Sequence, residues 1–122
     1  MAISITNLAD LSGSVLFTDT DNAGTIVSVK GSSGLIYSID IDNSANAATT
    51  FTRIWNTASG SVTVGTTAPD MIIPVPASTR ICVQIPAGIT FGTAISCAST
   101  TTAGTAGSTG PTSDVIVRIV YV

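Results

Sequence analysis

The chain contains no histidine and no glutamate, and only four of its 122 residues are lysine or arginine. Without histidine there is no Ser-His-Asp or Cys-His nucleophile, no imidazole metal site and no imidazole acid or base. Without glutamate, any carboxylate pair of the kind a glycosidase uses must come from aspartates. Asp40 and Asp42 share a strand face, but a two-residue step of about 6.6 Å sets both on a solvated sheet surface rather than in a cleft. The expectation is a protein that is not an enzyme and uses no metal or cofactor. The cations Lys30, Arg53, Arg80 and Arg118 are well separated and the net charge is −3. The expectation is that nucleic acid is not a partner, because a binder needs clustered positive charge.

Long apolar runs are also missing. None approaches the roughly 18 residues of a membrane-spanning helix, and the opening MAISITNLADLSG has neither a basic segment nor a continuous apolar one. The expectation is a chain without a signal peptide, made in the cytoplasm and soluble, with no membrane partner. Straight-chain residues that cover helix surfaces are scarce, with one lysine and one glutamine, whereas β-branched Thr, Val and Ile abound. Helix should be nearly absent. Charged residues make 9%, against about a quarter in an ordinary soluble domain. With a mean hydropathy of +0.55, so little charge implies a surface covered by partners, with wetting by Ser and Thr hydroxyls the lesser alternative. A length of 122 residues suits one core and one domain.

The stretch from Pro69 to Ser99 organises the reading. Pro74, Pro76, Pro86, Gly88 and Gly92 divide it into short strands, because proline sits in a sheet only at an edge, a strand start or a bulge. Before it, residues 1–13 form either a first strand or an arm lying on a neighbouring subunit, and residues 14–122 form the main domain. SVLFT is a strand, TDTDNAG a turn, and TIVSVK a strand closed by GSSG. LIYSIDID alternates, with Leu35, Tyr37, Ile39 and Ile41 on one face. TTFTRIWN puts Phe51, Arg53 and Trp55 on one side, where the Arg53 guanidinium needs a partner such as Asp40 or Asp42. VTV, MIIPV, TRICVQI, ITF and TAISCAS follow as strands. Residues 99–113 are low-complexity, a loop in solvent or one ordered by another protein. DVIVRIVYV is apolar on both faces apart from Arg118, which suits a mid-sheet strand or a subunit interface. Eight to ten short strands at even spacing predict an all-β, single antiparallel β-sandwich of jelly-roll type.

Four features resemble sites and have plainer explanations. DTDNAG opens like a calcium loop, but Ala23 fills an oxygen position and Lys30 stands where a closing carboxylate belongs. The glycines near 104–110 precede no helix, so they cradle no phosphate. Trp55 and Tyr37 could form a sugar-stacking platform, although core packing suits them better. Cys82 and Cys97 fall on opposite strand faces, which favours buried or half-buried free thiols over a disulfide.

Beyond residue 35 the chain shows I-Y-x-I-x-I-D-N at 36–43, V-G-T-x-x-P-D at 64–70, P-x-G-x-x-F at 86–91, a Thr/Gly-rich loop and the closing VIVRIVYV. In these motifs it resembles small β-sandwich structural proteins encoded by tailed phages. The resemblance implies a virion component: a capsid cement or decoration protein bound between major capsid subunits, often as a homotrimer or another oligomer. Alternatives are a tail, neck, baseplate or fibre accessory subunit, or a carbohydrate- or receptor-binding module in which Trp55 and loop aspartates meet a glycan. Two segments poor in packing groups are candidate partner contacts. One carries Met1, Ile3, Ile5, Leu8 and Leu11, and the other Thr101, Thr102, Gly104, Thr105 and Gly107. Arg118, the lone charge of the last strand, is a further candidate.

Overall fold

Period-two alternation of β-branched residues, punctuated by Gly, Pro and Asn, produces strands almost throughout. The computed structural model describes residues 2–8 and 13–122. Met1 and Leu11, two of the candidate contacts, lie outside the described residues. The strands are β1 (Ile3–Leu8), β2 (Ser14–Asn22), β3 (Val27–Lys30), β4 (Gly34–Asp42), β5 (Thr50–Trp55), β6 (Met71–Val75), β7 (Arg80–Phe91), β8 (Ile95–Thr100) and β9 (Val115–Tyr121). A single 3-10 turn at Ser59–Ser61 is the helical content of the described residues.

Two antiparallel sheets result, one ordered β1-β2-β9-β4-β7 and the other β3-β8-β5-β6. The pairings β2 with β9, β3 with β8, β4 with β7 and β5 with β6 are those of one long hairpin, closed by residues 56–70. Rolling that hairpin up adds the pairs β4 with β9 and β5 with β8. This is the jelly-roll arrangement, a β-sandwich of two sheets with their apolar faces opposed. Phe17, Ile36, Ile39, Ile41, Ile54, Ile95, Val117 and Ile119 are fully buried between the sheets.

The connections gather at two ends. Residues 23–26, 43–49, 76–79 and 101–114 share one end, and 31–33, 56–70 and 92–94 the other. The C-terminus is pinned in the sheet, Val122 N–H donating to Leu35 O and Leu35 N–H to Val122 O.

Several sequence expectations need correction. TDTDNAG is not a turn, because β2 runs on through Asn22. VTV forms no strand and follows the 3-10 turn instead. TRICVQI and ITF join as the single β7, with Pro86 inside it. Proline is tolerated there because β7 is an edge strand, like β6 with its Pro74. A bulge between Ile36 and Ser38 in both pairings of β4 flips the alternation, so Ile36 is buried and Tyr37 only half-buried. For the first segment, where either a first strand or an arm is expected, residues 3–8 take the strand alternative and pair with β2.

Candidate interaction surfaces

The loop end of the sandwich is built from small polar residues tied to backbone. Asn43 is fully buried, and its amide donates to the carbonyls of Ala48, Val75 and Pro76 at 3.0–3.1 Å. Asn46 donates to Asn43 Oδ1 at 2.9 Å and to Ser113 O at 3.0 Å, and its own Oδ1 accepts from Ser113 N at 2.8 Å. Ser78 N–H donates to Asn46 O. Two asparagines thus join the β4–β5, β6–β7 and β8–β9 connections. Gly24 packs so closely on the last of these that a Cβ there would run into the Ser108 carbonyl.

Arg53 organises the Thr/Gly-rich loop. It projects outward from β5 yet is fully buried, because residues 102–107 fold over it. Its Nη1 donates to Thr105 O and Gly107 O, both at 2.9 Å, and its Nη2 to Thr102 O at 2.6 Å and Ala106 O at 2.9 Å. Burial lowers the guanidinium pKa, yet arginine stays charged at neutral pH. The expected carboxylate partner is absent: four carbonyl dipoles take its place. The loop is therefore ordered by its own chain and needs no other protein to hold its shape.

Thr102, Thr105 and Gly107 supply carbonyl acceptors to this cluster, whereas Gly104 is exposed at a positive φ of 76°. Thr101 N–H closes the loop base on Thr109 O. Between this loop and residues 45–48 lies an open cavity of about 300 Å³ with no charged side chain in its wall. Ala45, Ala47, Ala48 and Pro111 supply apolar surface, Thr50, Thr101, Thr112 and Ser113 hydroxyls. The Thr50 hydroxyl is buried without a protein partner.

Trp55, the neighbouring outward residue on β5, is fully buried under the 56–70 connection, its Nε1 donating to Thr67 O at 3.0 Å. A stacking platform requires an exposed ring face, so Trp55 cannot offer one.

The outer face of the β1-β2-β9-β4-β7 sheet is bare by contrast. Arg80 grips Asp40 with two hydrogen bonds, from Nε at 2.9 Å and Nη2 at 2.5 Å. Arg118 Nη1 lies 3.5 Å from the same carboxylate. Asp40 holds the Arg80 pKa up, and hydrogen bonds from Ser44 hold Asp42 below its ordinary value.

Of the first segment, β1 is the outermost strand of this sheet, with Leu8 half-buried. Ile3 and Ile5 stand opposite Asp19 and Phe17, and directly opposed residues share a face. They therefore point to the core side, yet remain 38% and 58% exposed because β1 overhangs the other sheet.

The thiols are free: Cys82 is exposed rather than half-buried, and Cys97 is buried in the core. Burial pushes the Cys97 thiol far above its usual range, so it stays an unreactive thiol. Beside it, Asn22 donates to Asp19 Oδ2 at 2.9 Å, and Ser99 donates to Asn22 Oδ1 at 2.6 Å. Asp19 and Asn22 of the DTDN run thus bond inside the sandwich, while Thr20 and Asp21 bond to Ala2 at its edge. Among the described residues no three His, Cys, Asp or Glu side chains gather in a metal-binding group.

The roles of Asn43 and Asn46 went unread in the sequence; the N-x-x-N spacing between two strands was their only trace. Loop, edge and salt-bridged face are the distinctive surfaces of this β-sandwich. Compared with known proteins, the chain matches no family model and no curated sequence.

Proposed function

We propose that this chain is a non-enzymatic structural subunit of a tailed-phage particle, a capsid cement that binds between major capsid subunits and stabilises the head. The observation that carries the reading is the self-sufficient loop end. Arg53, Asn43 and Asn46 lock three connections into a rigid, nearly uncharged surface. Such a surface suits repeated docking against neighbours, since little ordering entropy is lost on contact. The motif resemblance beyond residue 35 and the scarcity of charge support the same reading. A molecule that binds only the assembled shell stabilises it by mass action.

Imaging of particles that carry the chain tests this. Many copies at regular positions on the head, with heads that burst at lower temperature once stripped, are expected. A few copies confined to neck, tail or baseplate would overturn the cement reading in favour of an accessory subunit. The uncharged cavity beside Thr50 favours a second reading, a receptor-binding module for a small neutral ligand. It no longer includes Trp55.

A further inference from the structure

The sandwich has four sheet edges, and three carry features that block pairing with another chain. β6 contains Pro74. β7 contains Pro86 and Arg80, with Gly88 at a φ of 77° and a bulge in its pairing with β4. β3 has four residues, ends in Lys30 and is bulged against β8. Proline, charge, bulges and shortness are the usual protections of an exposed edge. β1 has none of them: its sequence ISITNL is free of charge and proline, and its register with β2 is unbroken from Ile3 opposite Asp19 to Leu8 opposite Ser14.

Which backbone groups β1 presents follows from Ala2. Its N–H donates to Asp21 Oδ1 at 3.0 Å and its C=O accepts from Thr20 N at 2.9 Å, so both face β2. Polar groups of successive residues alternate sides along a strand. Those of Ser4, Thr6 and Leu8 then also face β2, and those of Ile3, Ile5 and Asn7 face outward.

We infer that β1 pairs antiparallel with β1 of a second copy of this chain, about a twofold axis through Ile5. In that register Ile5 exchanges both hydrogen bonds with Ile5 of the other copy. Ile3 does the same with Asn7, and Asn7 with Ile3, so no outward group is left over. The two five-stranded sheets become one continuous sheet. Ile3 and Ile5 of both copies meet on the core side, covering the apolar overhang each monomer leaves exposed. The strand is its own complement, which makes the contact isologous and self-limiting, and it carries no charge to repel its twin. The inference stands on backbone register alone and holds whether or not the chain belongs to a virion.

Sedimentation equilibrium of the whole chain decides it. The expected result is a species of two 12.2 kDa copies that dissociates on dilution. Amide exchange at Ile3, Ile5 and Asn7 should slow as concentration rises, while Ser4 and Thr6 stay unchanged. Ile5→Pro removes an outward N–H that the monomer does not use, and Ile5→Lys sets two ammonium groups opposite each other. Both variants should sediment as folded monomers with the wild-type circular-dichroism spectrum, and Ile5→Lys keeps the test decisive if Ile5→Pro fails to fold. A wild type that stays at 12.2 kDa at its highest soluble concentration, a trimer, or a dimer indifferent to Ile5→Lys would overturn the inference.

Discussion

Each sheet carries an arginine near its centre, pointing away from the core, and the two have opposite fates. Arg53 on β5 is roofed by the 101–113 loop and held by four backbone carbonyls. Arg118 on β9 is roofed by no loop on the other sheet and keeps its side chain 34% exposed, although its Nη1 is buried without a hydrogen bond, 3.5 Å from a carboxylate already committed to Arg80. The difference lies in what surrounds each cation. A solvated arginine needs little from the protein, whereas a buried one must find an acceptor for nearly every N–H. Arg53 uses that demand to fold a loop of Thr, Gly, Ala and Ser that has almost no apolar content of its own. One outer face is thereby sealed by its own chain, and the other is left to water or to neighbours.

Removing Arg53 should have the largest effect. Arg53→Met deletes four charge-assisted hydrogen bonds, and the freed carbonyls can regain water only if the loop lifts. A loss of about 2–4 kcal/mol in urea unfolding is expected, with new protease sensitivity within residues 101–113. Arg53→Lys should recover little of it, because an ammonium with three donors cannot reach carbonyls arrayed around a planar fork. A lysine variant as stable as wild type would mean that charge, not geometry, holds the loop.

Asp19 sharpens the contrast, being a buried acid with no cation among its hydrogen-bond partners in the described residues. Burial is the largest influence on its carboxyl and raises the pKa, against the opposing hydrogen bond from Asn22. An acid with a raised folded-state pKa binds its proton more readily when folded. Its burial therefore weakens the fold above that pKa, and the penalty fades as pH falls toward the unfolded value of 3.8. Asp42 has the opposite sign: its pKa is lowered, and its contribution is lost only below 3.8. On acidification from neutral pH the melting temperature should first rise and then fall. Asp19→Asn should abolish the rise and leave neutral-pH stability equal or higher, since Asn22 can turn its amide to meet the new donor. Melting curves between pH 7 and 3 check both limbs, and a rise that survives Asp19→Asn would assign it to another group.

The strands were largely legible because alternation is a local signal, and the jelly-roll class followed from their number and spacing; Pro74, Pro86 and Gly88, read as breaks, lie inside the edge strands β6 and β7. What escaped was set by atoms the sequence does not display. The acceptors of Arg53 are main-chain carbonyls, so a search for an oppositely charged side chain led to Asp40 and Asp42 instead. Tyr37 was assigned to the wrong face because the bulge at 36–38 adds one residue, and alternation has no memory across such an insertion. Asp19, Asp21 and Asn22 have turn-forming side chains, but Asn22 spends its amide on Asp19 within the sandwich, which lets β2 continue. The overhang of β1 depends on one sheet having a strand more than the other, a property of the assembled fold alone.

The smallest effect belongs to the open face. Asp40→Asn breaks the bidentate pair with Arg80 and removes the carboxylate beside Arg118. Arg80 has a side chain 58% exposed, so water and salt screen most of the attraction, and the loss should stay within about 1 kcal/mol and shrink in high salt. The informative comparison is with Arg53→Met under the same conditions, whose cost should barely change with salt because carbonyl dipoles under a loop are shielded from ions. If instead Asp40→Asn proved as costly as losing Arg53, the bare face would be bearing stability rather than awaiting a neighbour. The distinction between a sealed and an open side of the sandwich would then fall.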